Sequence, residues 1–244
     1  ENINKIIDSI ENQNISNYEI IVVGSFNESR KNTKIISFDE TIKHAWISKK
    51  KNVITDNASY KNIVYLHDYI MFMEGWYDGF LRYGDKFHIC MNPILNTDNT
   101  RFRDWTLWDY PLQGMEEDEK LLPYDMTHLS AWMYISGTYW VAKKDVMDEF
   151  PIDETLGHGE GEDIVWSFQV RNKYDFSINT NSKVKLLPSF GKGWKSGWKD
   201  PAHFDVKEGN LKKLKILKSP RRLSNVFGHN FLLQHPQLMR HIND

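Results

Sequence analysis

The sequence is poor in cysteine: Cys90 is the one thiol in 244 residues. That excludes an intrachain disulfide and a zinc cluster built on cysteines, and it fits a reducing, cytoplasmic compartment. Long apolar runs are also missing. None exceeds a few residues, so no stretch reads as a bilayer-spanning helix. The first residues, Glu1-Asn2-Ile3, lack the basic head and apolar core of a signal peptide. They also lack an initiator methionine, which reads as a trimmed fragment. Charge of one sign is missing too. The 31 Lys and Arg nearly cancel the 33 Asp and Glu, leaving a net charge of −2. A dedicated nucleic-acid binder would show a basic excess, so no nucleic acid is expected as partner. What is present is ordinary globular composition, 40% hydrophobic and 26% charged, enough for about one domain with a real core. Rings are in excess: nine Trp, eleven Tyr and thirteen Phe imply either a ring-rich core or a surface for a flat ligand.

Periodicity gives the elements. Ile3, Ile6, Ile7 and Ile10 form one helical stripe. Residues 18–24 read as a buried strand stopped by Gly24, and 35–38 as a second. A helix is expected over 41–51, strands at 63–66 and 87–91, and a helix at 76–83 between them. The pattern breaks from Asn92 to Ser130, a stretch with three prolines, several rings and the acidic run Glu116 to Glu119. Long ordered insertions of this kind are lids, binding walls or surface packing. Strand-like runs return at 133–137 and 139–142. Helices follow at 144–150 and from Gly161 to Asn172, then short strands at 176–178 and 184–187. The alternation predicts an α/β fold with a mixed, mainly parallel central sheet flanked by helices, an aromatic-rich insertion and a helical tail. The tail, 205–244, is set off from a domain spanning 1–204. Between Lys207 and Arg222 it carries seven basic residues against one acidic. That pattern suits a solvated helix face or peripheral docking on an anionic membrane surface.

Two acidic constellations can carry chemistry. Asp68 follows a predicted buried strand, and ligands of open α/β sheets bind beyond the carboxyl ends of strands. An acid there can hold a divalent cation, or can simply make a turn. The second is Gly157-His158-Gly159-Glu160-Gly161-Glu162-Asp163, at the start of a predicted helix. Acids at a helix N-terminus are stabilised by exposed N–H groups. Three alternating glycines go beyond what a cap needs and suit a loop that lets a substrate approach the backbone. A carboxylate kept ionised there can act as a general base. Trp105, Trp108 and Tyr110 lie among Asp and Arg side chains in the insertion, and Trp132 lies near His128. Such rings either stack on sugar faces or anchor the insertion. The glycine-punctuated basic stretch 191–199 reads as a mobile lid or a plain surface loop. Cys90 falls in a predicted buried strand as a small core residue.

The order of these pieces resembles family 2 glycosyltransferases of the GT-A (Rossmann-like) fold over residues 1–190. Ser9-Ile10-Glu11-Asn12-Gln13 followed by Tyr18-Glu19-Ile20-Ile21-Val22-Val23 resembles the family's first helix and following strand. Lys50-Lys51-Asn52 is similar to its basic-residue-plus-Asn element. Val64 to Tyr69 stands where the family has its metal motif. Ile135 to Val141 and then Gly159 to Asp163 resemble its acceptor and base region. The resemblance implies transfer of a sugar, with inversion, from a nucleotide-diphosphate sugar (UDP-sugar favoured) to a hydroxyl of a glycan acceptor, as in polysaccharide biosynthesis. It implies Asp163 as base, with Glu162, Gly161, Trp105 and Trp132 on the acceptor side. Lys51, Asn52 and Asp68 would face the donor. Asp68, His67 and His203 would hold Mn2+ or Mg2+; a surface-loop role is the competing reading for His203. The family's first strand and its nucleotide loop have no counterpart before Glu1. Gly24 stands where the family has an acid that reads the base, and His67-Asp68-Tyr69 keeps only the central acid of the metal motif. These departures support an alternative, a non-catalytic carbohydrate- or nucleotide-binding module on a degenerate GT-A fold. A metal-dependent phosphoesterase or nucleotidyltransferase would use the same carboxylates.

Overall fold

The computed structural model describes residues 2–107, 120–127, 130 and 133–190. The 204/205 domain boundary, the basic tail and the 191–199 stretch lie outside the described residues. Helix α1, Asn2–Glu11, buries Ile6, Ile7 and Ile10 along the expected stripe. It leads to strands β1, Ile20–Val23, and β2, Thr33–Ile36, which pair in parallel with Ile20 opposite Thr33. Then come α2, Ile47–Asn57, β3, Asn62–Leu66, β4, Ile70–Phe72, and α3, Trp76–Tyr83. Strands β5, Ile89–Met91, and β6, Ile94–Leu95, flank the Asn92-Pro93 link. The insertion contributes β7, Thr106–Leu107, and β8, Lys120–Leu121. They are followed by β9, Met133–Tyr134, β10, Tyr139–Lys143, α4, Lys144–Glu149, α5, Glu162–Val170, β11, Phe176–Ile178, and β12, Val184–Leu186.

The central sheet has the order β11-β5-β10-β3, and a second has the order β4-β12-β6. Helix α1 packs on β4, α2 on β1 and α4 on β10. The α/β class with mixed sheets and flanking helices is therefore present. The parallel share is smaller than the alternation implies. Among the described residues, β1–β2, β5–β11 and β6–β12 are parallel, while β10 runs against both β3 and β5. The physical reason is the connections. Strand β10 enters from the insertion in the opposite direction to β3 and β5, and β12 returns against β4.

Three local expectations shift. The helix expected over 41–51 begins only at Ile47. Asp39 accepts hydrogen bonds from the backbone and hydroxyl of Thr41, which holds a turn, and Ala45 takes a positive φ of 49°, which stops a helix from starting earlier. Strand β1 is half-buried, not buried, because among the described residues it pairs with β2 alone. Strand β4, not expected at all, follows directly from the turn at His67. The insertion is ordered where it is described. Asp104 is fully buried and gathers Arg101, the Tyr124 hydroxyl and the backbone N–H groups of Ile94 and Trp105. A buried carboxylate is tolerated when it is paired and hydrogen-bonded in this way.

The ring excess is largely core. Trp105, Trp140, Trp166, Tyr65, Tyr134 and Tyr139 are among the largest fully buried side chains. Trp140 stacks on Tyr65 at 4.7 Å and meets Trp166 at 5.6 Å. Cys90 is buried, as expected. Among the described residues no helix is long and apolar enough to cross a membrane.

Packing at α3 gives a stability test. A Cβ on Gly79 would lie 2.3 Å from Ser182 Oγ and 2.5 Å from the backbone oxygen of Asn181. Alanine favours a helix interior over glycine by about 0.8–1.0 kcal/mol. Overpacking against a fixed backbone oxygen costs about 1–3 kcal/mol, so the clash wins. Gly79→Ala is expected to lower stability by up to about 2 kcal/mol in urea unfolding; a stabilised variant would show that the 179–182 loop yields.

Candidate active site

The register of β10 on β3 builds the site. Tyr139 lies opposite Leu66, so the turn leaving β3 (His67 to Tyr69) meets the turn entering β10 (Ser136 to Thr138). The His67 backbone N–H donates to the Thr138 carbonyl at 3.1 Å, which locks the two turns together. Helix α5 brings its first turn to the same place. The Gly137 N–H donates to Asp163 Oδ2 at 2.7 Å, and Asp163 Oδ1 accepts from the Ile164 N–H at 2.9 Å. Gly161, at the N-terminal cap of α5, has a φ of 79°, a left-handed conformation that glycine adopts without strain. The Ser167 hydroxyl donates to the Asp163 carbonyl at 2.6 Å and accepts the Ile135 N–H at 2.8 Å, which ties the helix to the strand side.

Helix α2 is stapled to the segment that leads into α5. Ser48 Oγ donates to the Leu156 carbonyl at 2.6 Å, and Trp46 Nε1 donates to the Glu154 carbonyl at 2.7 Å. Asn52 is used in the same staple. Its Nδ2 donates to the Ile152 carbonyl and to Glu154, and its Oδ1 accepts the Ile152 N–H. The staple directs Lys51 toward α5. Lys51 is 4% exposed, its Nζ lies 3.5 Å from Glu162 Oε1, and it sits 4.7 Å above the Trp140 ring. It makes no hydrogen bond among the described residues. Burial pulls the ammonium below the ordinary lysine value, with Glu162 and Asp163 opposing. Burial pushes the Glu162 carboxyl up, with Lys51 opposing. Burial thus presses each member of the pair toward its neutral form, and the ion pair opposes that. Glu162 is buried, whereas Asp163 is only partly covered.

On the strand side His67 Nδ1 and the Tyr69 hydroxyl share a 2.7 Å hydrogen bond, while His67 Nε2 is buried with no partner among the described residues. Burial, and the nearby Lys51, His158 and Lys50, push the imidazole well below its usual value, so it is neutral. Asp68 is exposed. The two are consecutive in the turn, and among the described residues no three His, Cys, Asp or Glu side chains converge as a metal site. Asp68 and His67 could supply one or two protein ligands to a divalent cation, whose remaining positions water and substrate phosphates commonly fill. His203 lies outside the described residues.

Of the residues expected from sequence, Lys51, His67, Asp68, Gly161, Glu162 and Asp163 come together at one end of β3 and β10. Trp105 does not present a ring to an acceptor. It is fully buried in the core, so both ring faces are covered by protein, which is the anchoring role. Trp108, Tyr110, Trp132 and His128 lie outside the described residues. The sequence reading placed Gly137, Tyr69, Trp140 and His158 inside candidate stretches without giving any of them a role of its own. The signal for Gly137 was present in Ser136-Gly137-Thr138, a small-residue turn feeding a buried strand.

With the geometry in place, comparison with known proteins gives the fold. No family model matches the chain, and no curated protein sequence does. Among solved structures, the chain is similar to GalNAc-T7 with UDP, GalNAc and Mn2+, with a TM-score of 0.59 at 13% identity over 95% of this chain and 48% of that one. It is also similar to S. aureus TarS 1-349, with a TM-score of 0.57 at 10% identity over 99% of this chain and 69% of that one. The same TarS fragment in complex with UDP gives 0.53 at 10% identity, over 98% of this chain and 69% of that one. The chain therefore spans about half the length of GalNAc-T7. At such identities the likeness is one of fold, and the fold is GT-A.

The Asn52 staple yields a test. Asn52→Ala removes three hydrogen bonds and leaves the Ile152 groups without partners. A loss of about 1–3 kcal/mol in denaturant unfolding is expected. An unchanged midpoint would show that the amide is free for a ligand.

Proposed function

We propose that this chain is a nucleotide-sugar-dependent glycosyltransferase with Asp163 as its acceptor base. The observation that carries the reading is the meeting of Lys51, Gly137, Glu162 and Asp163 at the ends of β3 and β10 in a GT-A fold. The structural neighbours, glycosyltransferases with structures holding UDP, support it. In this reading the donor is a nucleoside-diphosphate sugar, with UDP favoured, and the acceptor is a glycan hydroxyl.

Asp163 suits the base role on three counts. Its carboxylate is partly accessible, whereas Glu162 beside it is buried. Each of its oxygens accepts one backbone N–H, which fixes the group and leaves a second lone pair for an incoming hydroxyl proton. It stands in the first turn of α5, where exposed N–H groups favour the anion. The carboxylate takes the hydroxyl proton as the oxygen attacks the anomeric carbon from the face opposite the leaving group. The bond to the nucleoside diphosphate breaks, and the configuration inverts. A divalent cation, when bound, would neutralise the diphosphate. Asp68 and His67 are the described residues that would hold it.

The alternative is a non-catalytic carbohydrate- or nucleotide-binding module. Gly24, where the family has an acid that reads the base, favours it. Turnover separates the two readings. Incubation with a panel of nucleotide sugars and glycan acceptors is expected to release nucleoside diphosphate, and Asp163→Asn is expected to lower kcat by about 100- to 10,000-fold while UDP still binds in calorimetry. UDP binding with no release from wild type would favour the binding module. Full activity in Asp163→Asn would remove the base assignment.

A further inference from the structure

We propose that Tyr69 is a positioning residue for a divalent cation: its hydroxyl takes the Nδ1–H of His67, which leaves the Nε2 lone pair of that ring as the nitrogen ligand. This rests on the glycosyltransferase reading and deepens it. His67 and Tyr69 flank Asp68, the one acid kept from the family's metal motif. The phenol acts on the imidazole two residues before it, not on the cation.

The geometry starts with the backbone of the turn. The His67 N–H donates to the Thr138 carbonyl at 3.1 Å, and the His67 carbonyl accepts the Ile70 N–H at 3.1 Å. The Tyr69 carbonyl accepts the Leu187 N–H at 2.8 Å. With both ends of the turn pinned, the two rings meet edge to face, their centroids 5.2 Å apart and their planes at 87°. That sets His67 Nδ1 2.7 Å from the Tyr69 hydroxyl. The same hydroxyl is hydrogen-bonded to the side chain of Thr138, which is buried. The imidazole is therefore held in one orientation by a phenol that is itself held.

The other ring nitrogen carries the inference. His67 Nε2 is buried and has no hydrogen-bond partner among the described residues. A histidine kept only for packing would have both nitrogens satisfied. A neutral imidazole has one N–H and one lone pair. A proton on Nε2 would be a buried donor with no acceptor, which is rarer than an acceptor left unused. The phenolic oxygen of Tyr69 can accept the proton on Nδ1, which leaves Nε2 as a lone pair. An imidazole whose second nitrogen donates to an oxygen is the form that ligates a metal, and the oxygen fixes both tautomer and ring orientation. The neighbouring Asp68 is exposed and adds a carboxylate to the same turn. Lys50 and Lys51 of α2 and His158 of the loop before α5 also bear on the ring. These groups oppose a lone cation and favour a diphosphate, so the cation is expected to enter together with UDP.

The experiment titrates Mn2+ into the protein with UDP present, by calorimetry, and reads the bound ion by pulsed EPR. Wild type, Tyr69→Phe and His67→Gln are compared. Wild type is expected to show coupling of Mn2+ to an imidazole nitrogen, and His67→Gln to lose it. Tyr69→Phe is expected to keep the wild-type unfolding midpoint and to bind Mn2+ about 10- to 100-fold more weakly. Nitrogen NMR of the metal-free wild type is expected to find the His67 proton on Nδ1, a readout that stands even where a variant fails to fold. A proton on Nε2, a Mn2+ signal without nitrogen coupling, or Tyr69→Phe binding Mn2+ as wild type does would each overturn the proposal. Mn2+ held through His67 with no nucleotide-sugar turnover would overturn the transferase reading and leave the ligand assignment standing. Turnover with no nitrogen coupling would do the reverse.

Discussion

The register between β3 and β10 is the constraint on which the site depends. With Tyr139 opposite Leu66, the chain leaves one strand and enters the other at the same edge of the sheet. Sheet alternation then fixes which side chains face the core. Tyr65 and Trp140, directly paired in that register, stack below the site. A slip of one residue would turn this floor to the other face. It would also part His67 from Thr138, and Gly137 from Asp163. Local backbone geometry and the placing of charge are thus set by one ladder of hydrogen bonds.

Above that floor the electrostatics follow from burial. Lys51 and Glu162 are both nearly excluded from water, where each alone would tend to neutralise. Held 3.5 Å apart, each opposes the pull of burial on the other, and Asp163 stands beside the pair while keeping access to solvent. The glycine at 137 lets three chain segments approach this closely. Its N–H binds the Asp163 carboxylate, and its missing side chain leaves room for Lys51.

Much of this was legible in the sequence, for identifiable reasons. The Ile stripe of α1, the span of α3 and the start of α5 follow from short-range periodicity and glycine placement, and they stand where expected. The acids at 162–163 were marked by alternating glycines ahead of a helix. The start of α2 was misread because Ala45 adopts a left-handed conformation that no local pattern announces. The roles of Asn52 and Trp105 were hidden for a different reason. Whether a polar amide faces a ligand or a carbonyl a hundred residues away, and whether a ring faces a sugar or the core, depends on long-range packing. Composition says nothing about that.

The rings show how packing and chemistry are joined. An excess of Trp and Tyr in a polar chain invites a reading as a sugar-stacking surface. The described rings lie instead under the candidate site: Tyr65, Trp140 and Trp166 form a continuous aromatic layer, and Trp76 donates to the Tyr139 hydroxyl within the same core. Aromatic side chains are suited to this place. They exclude water as aliphatic groups do, yet the face of Trp140 presents partial negative charge to the ammonium above it. An aliphatic floor would bury Lys51 with no such attraction and favour its neutral form. An aromatic one lowers the local dielectric while still holding a cation, which is what the buried pairing of Lys51 with Glu162 requires.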